Sequence, residues 1–132
     1  MNLLRETLRQ MVAAEEVAAN SGGDCYEAAG RYMMDHCILG NDDCGLILVH
    51  GEVGGQGPLE GITYGHAWVL DGSVVIDKSN GRDLQIPQMI YYAIGQISNI
   101  NNVHEYTWAE AKQYILMYEH WGPWDLETES GL

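Results

Sequence analysis

Three residues have types and positions that could do chemistry together: Cys25, His66 and Asp77. Cys25 opens a predicted helix. The free N–H groups and partial positive charge of a helix N-terminus favour a thiolate. Such sites can draw a thiol well below its free pKa of about 8.5. One N–H there could also receive an oxyanion. Without a partner, the same cysteine is a small buried hydrophobe, so its chemistry depends on a base. His36 is on the same helix, about 16 Å along its axis, and is out of reach. His104 and His120 lie beside predicted helix termini, where surface roles are ordinary, and His50 closes a predicted strand and remains a lesser candidate for the base. His66 sits in an alternating segment, Thr63 to Leu70, followed by Asp71-Gly72 and a second segment, Ser73 to Asp77. A two-residue turn at Asp71-Gly72 would set His66 directly opposite Asp77, with Cβ atoms about 4.5–5.5 Å apart. Tyr64, His66, Trp68 and Leu70 then share one face with Ser73, Val75 and Asp77. Gly65, Ala67, Val69, Val74 and Ile76 share the other. A carboxylate beside the ring fixes its tautomer and stabilises an imidazolium formed opposite a thiolate. A register slip of one residue would undo this, because it moves one partner to the other face. If Cys25 is not part of the group, His66 and Asp77 make an ordinary cross-strand pair.

The elements that must hold these residues can be read along the chain. Its 132 residues predict one domain over 1–132. Leu4, Leu8, Met11, Val12 and Ala18 recur at helical spacing over residues 3–20. Asn20-Ser21-Gly22-Gly23 stops that helix. Asp24 is a suitable N-cap for the next, from Cys25 to about Leu39, and Gly40-Asn41-Asp42-Asp43 breaks it. Leu46 to His50 reads as a buried strand. Residues 51–61 read as a glycine-rich loop, either beside the active cleft or a plain connection. After the hairpin, Asn80-Gly81 makes a turn, and Pro87 suits the first turn of a helix reaching about Ile94. Val103 to Tyr106 is a short strand. Thr107-Trp108-Ala109-Glu110 is a capping box opening a helix to about His120, which Gly122-Pro123 ends. The acidic tail after it is expected to be loose. Tyr91, Tyr92, Trp108, Tyr114 and Tyr118 read as core, and Trp121 and Trp124 as packing for the last helix. Helices followed by antiparallel strands predict an α+β fold.

Nineteen acidic residues against six Lys and Arg leave a net charge of −13. That field repels a phosphate backbone and disfavours nucleic-acid binding. It suits a soluble protein or a partner with a basic surface. With no apolar run near ~20 residues, no membrane span is expected. The charged N-terminus does not read as a secretory signal. The glycine-rich stretch lacks the Gly-Lys-Ser/Thr of a phosphate loop. Cys37, Cys44, His36 and His50 have poor spacing for a metal site. No cofactor and no metal are expected. Three cysteines argue against a disulfide framework and for a reducing, cytoplasmic compartment. A net-negative field also opposes thiolate formation, so an active Cys25 needs local help. Lys78 and Arg82 follow Asp77 closely, which predicts that the rare positive charge gathers near the cleft.

These residues resemble the papain-like cysteine hydrolase superfamily, closest to its transglutaminase-like branch. Gly23-Asp24-Cys25-Tyr26 resembles the start of that fold's nucleophile helix, Gly65-His66-Ala67-Trp68-Val69 its histidine strand, and Val75-Ile76-Asp77 the strand bearing the third residue. The likeness covers about residues 20–82. It implies N-terminal helices packed on a small antiparallel sheet, with C-terminal helices. It also implies a thiolate nucleophile at Cys25, a base at His66 and an orienting acid at Asp77. Lys78 stands where the branch usually has Pro. The usual upstream Gln for the oxyanion is not at the expected spacing; Asn20 is the nearest amide. Tyr64 and Trp68 are further auxiliary candidates beside His66. The implied activity is a hydrolase or acyl transferase of peptidase, amidase or deamidase type, acting on an amide or ester in a peptide, protein or small molecule. The alternative is a small acidic, non-catalytic binding protein or inhibitor on an inactive version of the fold, such as a phage-type nucleic-acid mimic.

Overall fold

The computed structural model describes residues 24–37, 44–55, 58, 60–97 and 100–126. The helix expected over 3–20 and the auxiliary candidate Asn20 lie outside the described residues. Helix α1 (Cys25–His36) is followed by strand β1 (Leu46–Gly54), the hairpin β2 (Thr63–Asp71) and β3 (Val74–Asp77), and a 3₁₀ turn (Ser79–Gly81). Strand β4 (Leu84–Pro87), helix α2 (Gln88–Ile94), a second short 3₁₀ segment (Ile100–Asn102), strand β5 (Val103–Tyr106) and helix α3 (Trp108–Tyr118) complete the described elements. The five strands form one antiparallel sheet in the order β4-β3-β2-β1-β5. The described part of the chain is therefore α+β.

Helices cover both faces of this sheet. Leu48, Ala67, Val69, Ile76 and Tyr106 pack against Cys25, Ala29 and Met33 of α1 and Trp108 and Ala111 of α3. Val49, Val53, Trp68, Leu70 and Val75 pack on the opposite face with Tyr91 of α2. Strand β2 is central and sealed from both sides, so Tyr64 through Leu70 are all buried. Tyr118 is exposed rather than core, and Tyr92 and Tyr114 are half-buried.

Several expectations need correction. The hairpin loop is Gly72-Ser73, with Asp71 still in the strand opposite Val74. Gly72 takes a positive φ of 62°, as a hairpin with glycine first in its loop requires. Relative to a loop at Asp71-Gly72, the register shifts by two residues. A shift of two keeps every side chain on its face, so burial pattern cannot choose between the registers, and turn chemistry does. His66 and Asp77 are consequently diagonal neighbours rather than directly opposed. Strand β1 continues through Gly54, into the stretch read as loop. Strand β4 was not anticipated: its alternation covers four residues, with Leu84 and Ile86 buried and Gln85 and Pro87 exposed. Pro87 is tolerated because β4 is an edge. Helix α1 ends at His36, before Leu39. Cys37, just after it, is joined by a disulfide to Cys44, just before β1, with Cα atoms 5.1 Å apart, inside the range a disulfide spans. The three cysteines are thus one bridge and one free thiol, Cys25. Among the described residues no helix is long and apolar enough to cross a membrane.

Candidate active site

Cys25, His66 and Asp77 converge from three elements: the first turn of α1, the middle of β2 and the end of β3. The ladder between β2 and β3 stops at Val69 and Ile76, three residues short of His66. Beyond that point the chain turns toward α1. Asp24 precedes the helix, yet its side chain makes no cap hydrogen bond there. Its Oδ1 instead accepts from the backbone N–H of Asn80 at 2.8 Å. That contact ties the start of α1 to the turn after β3, so the cysteine and the carboxylate are anchored to each other as well as to the sheet. Asn80 adopts a left-handed φ of 53°, a conformation asparagine tolerates.

Cys25 is 9% exposed and His66 5%, so both are largely withdrawn from water. The Nε2 of His66 lies 2.9 Å from Asp77 Oδ2. Nδ1 is thereby the ring nitrogen that Asp77 leaves free, and Cys25 lies near enough to His66 for charge attraction between them. Burial alone would lower the His66 pKa. Attraction to Cys25 and Asp77, with the hydrogen bond to Asp77, overrides burial and raises it to about 10. Burial would likewise raise Asp77, but His66, Arg82 and Ser79 hold its carboxyl well below the usual range. The side chain of Asp77 is fully buried and receives five donors. Ser79 donates to Oδ1 from its N–H at 3.0 Å and its hydroxyl at 2.6 Å. Oδ2 accepts from His66, from Arg82 Nη1 at 2.7 Å and from the Tyr91 hydroxyl at 2.8 Å. Tyr91 is pushed well above an ordinary phenol, by burial first and then by Asp77.

The auxiliary candidates Tyr64 and Trp68 flank the imidazole on its own face of β2. Their ring centroids are 6.1 and 6.2 Å from that of His66. Both are buried, so they wall the ring rather than present a surface to substrate. Trp68 lies across Gly51, where a Cβ would come within 2.6 Å of the indole. Ser79, Arg82 and Tyr91 were not singled out as site residues. Only Arg82 left a trace in the sequence, as one of two cations close behind Asp77. Tyr91 read as core, and it is core, with a polar tip aimed at the carboxylate.

The other basic side chains near the site lie outside it. Arg31, Lys78 and His36 line a surface groove of about 380 Å³ with Ala28, Tyr32, Asp35 and Gln85. The groove begins one helical turn from Cys25. Arg31 pairs with Glu27 and Lys78 with Asp83. His50 is no base for Cys25. It is fully buried among Tyr26, Tyr106 and Trp124, and neither ring nitrogen has a hydrogen-bond partner among the described residues. Burial, chiefly, lowers it to about 3.

The arrangement sets a free thiol at a helix start near an imidazole whose ring a buried carboxylate fixes, a grouping of the kind that thiol-based acyl chemistry uses. The first N–H groups of α1 have no acceptor within the helix and stand next to the sulfur. No family model matches the sequence, and no curated protein or solved structure matches it either.

Proposed function

We infer that this protein is a cysteine-dependent hydrolase or acyl transferase acting on an amide or ester, on a papain-like core of the transglutaminase-like branch. The observation that carries this reading is the single line of contacts from Cys25 at a helix start, through His66, to the buried Asp77. Cys25 as thiolate adds to the substrate carbonyl, and the oxygen takes the negative charge. The N–H groups at the start of α1, which have no acceptor within the helix, are the donors that would receive it. The intermediate collapses as the C–N or C–O bond breaks. His66 gives its proton to the departing atom, leaving a thioester on Cys25. Water or an amine, losing a proton to His66, then attacks the thioester and releases the thiol.

Iodoacetamide tests the first step without knowledge of the substrate. Wild-type Cys25 is expected to alkylate at pH 6 at least about tenfold faster than a free thiol, whose thiolate is scarce there. His66→Ala should remove that advantage, and Cys25→Ser should abolish the labelling of this site. A wild-type rate no greater than that of free cysteine across pH 5–8 would overturn the reading and leave the non-catalytic acidic binder in its place.

A further inference from the structure

The buried arginine beside Asp77 has no place in the three-residue scheme, yet it touches the same oxygen as the histidine. Oδ2 of Asp77 receives three donors, from His66, Arg82 and Tyr91, at 2.7 to 2.9 Å. A carboxylate oxygen offers about two lone-pair directions, so these donors compete. Two of them carry positive charge when His66 is protonated. The Arg82 side chain is only 4% exposed and that of Asp77 is closed to solvent. Little water screens this competition.

A lone carboxylate in such a dry site would bind an imidazolium so firmly that the proton could not leave. Resting on the cysteine-enzyme reading, we propose that Arg82 is a positioning residue of the His66–Asp77 pair: it anchors the shared carboxylate oxygen and draws off part of its charge, so that His66 can return its proton. In the step concerned, the N–H bond at His66 Nδ1 breaks and the proton passes to the leaving nitrogen or oxygen. That atom keeps the electron pair of its broken bond to carbon. Tyr91 does the same to a smaller degree, as a neutral donor.

The groups facing this pair can be named element by element. Helix α1 presents Cys25, and β2 presents Tyr64 on one side of the ring. Strand β1 presents uncharged Gly51 opposite His66. The 3₁₀ turn presents Ser79, the following loop Arg82, and α2 Tyr91. Arg82 is the one permanent cation in this set. Its loss should therefore move His66 in a single direction.

The test is the titration of the His66 ring, followed by its NMR shifts in the full chain, with the Cys25 alkylation profile in parallel. Arg82→Met is expected to raise the His66 midpoint by about one pH unit or more, because a buried cation at this range is worth at least that much. The alkaline limb of any Cys25 profile should move with it. Arg82→Lys keeps the charge and should shift the midpoint by less than about a third of that. Tyr91→Phe should raise it by a few tenths, as loss of a neutral donor. A folded Arg82→Met protein whose His66 titrates as in wild type would overturn the proposal. Should that variant not fold, an unchanged midpoint in Tyr91→Phe would overturn it equally. Slow alkylation of wild-type Cys25 would instead count against the enzymatic reading, while the ring titration still decides the role of Arg82.

Discussion

Asp77 is the residue on which the site is hung. Its five donors come from β2, the 3₁₀ turn, the loop after it and α2. Asp77→Asn keeps the shape but removes the charge opposite Arg82 and turns one acceptor into a donor. Breaking a buried ion pair from one side costs about 3–5 kcal/mol. Urea unfolding near neutral pH should show a loss of that size, and Cys25 alkylation should slow with it. A loss under about 1 kcal/mol would mean that Arg82 finds another partner or water on relaxing. At this scale the sequence already contained the His66–Asp77 pair, because alternation along two adjacent strands puts them on one face. It did not contain Tyr91 or Ser79. Ser79 acts by closing a local turn onto the carboxylate. Tyr91 arrives from α2, which packs on the face that carries Trp68 and Val75, and nothing in its neighbourhood distinguishes it from other core tyrosines.

Among the elements, the start of α1 matters most to the proposed chemistry, because it carries Cys25. Asp24 was expected to cap that helix and instead bonds Asn80 across 56 positions of sequence. Asp24→Ala should therefore act more on reactivity than on stability. The contact is exposed, so its loss should cost no more than about 1–2 kcal/mol. The alkylation rate of Cys25 should fall severalfold as the helix start loosens from the turn. A variant that alkylates at the wild-type rate would show that packing alone holds Cys25 to His66. Helix α3 supplies a control away from the site. Its capping box is complete, with Thr107 Oγ1 accepting from Glu110 N at 3.2 Å and the Glu110 side chain accepting from Thr107 N at 3.0 Å. Thr107→Ala should cost about 1 kcal/mol and leave Cys25 reactivity unchanged. This cap was legible because it is a local pattern. The hairpin register was not, since two registers two residues apart bury the same side chains. Strand β4 was missed because four residues ending in proline are too short a signal.

For the molecule as a whole, two buried histidines pull stability in opposite directions with pH. His50 falls to about 3 when folded, against about 6.5 unfolded. Between those values the unfolded chain binds the extra proton, so stability drops as pH falls from about 6.5 toward 3. His66 rises to about 10. Its contribution is complete below its unfolded value of about 6.5 and is lost as pH climbs toward 10. Asp77 is shifted downward, so its contribution is present at neutral pH and is lost in acid. Stability by urea unfolding should peak near about pH 6.5. His50→Phe should flatten the acid limb between about pH 6 and 4, while the alkaline limb stays. A variant whose acid limb parallels wild type would assign that limb to other groups. The net charge of −13 surrounds a site in which His66 and Arg82 face Asp77 and Cys25. Of the described Lys and Arg, Arg82 lies in the site, Arg31 and Lys78 line the adjacent groove, and only Lys112 stands elsewhere, on α3.

The sequence by itself determined what depends on neighbours along the chain: the helix that begins at Cys25, the alternation that puts His66 and Asp77 on one face, the cap at Thr107, and the acidic charge. Tertiary structure decided what no local pattern encodes, whether the partners are near or far along the chain. It set the register of the hairpin, the tie from Asp24 to Asn80, the burial of His50 and the ring of donors around Asp77. The physical reason is that periodicity and capping are local, whereas a buried carboxylate takes its partners from wherever packing delivers a donor.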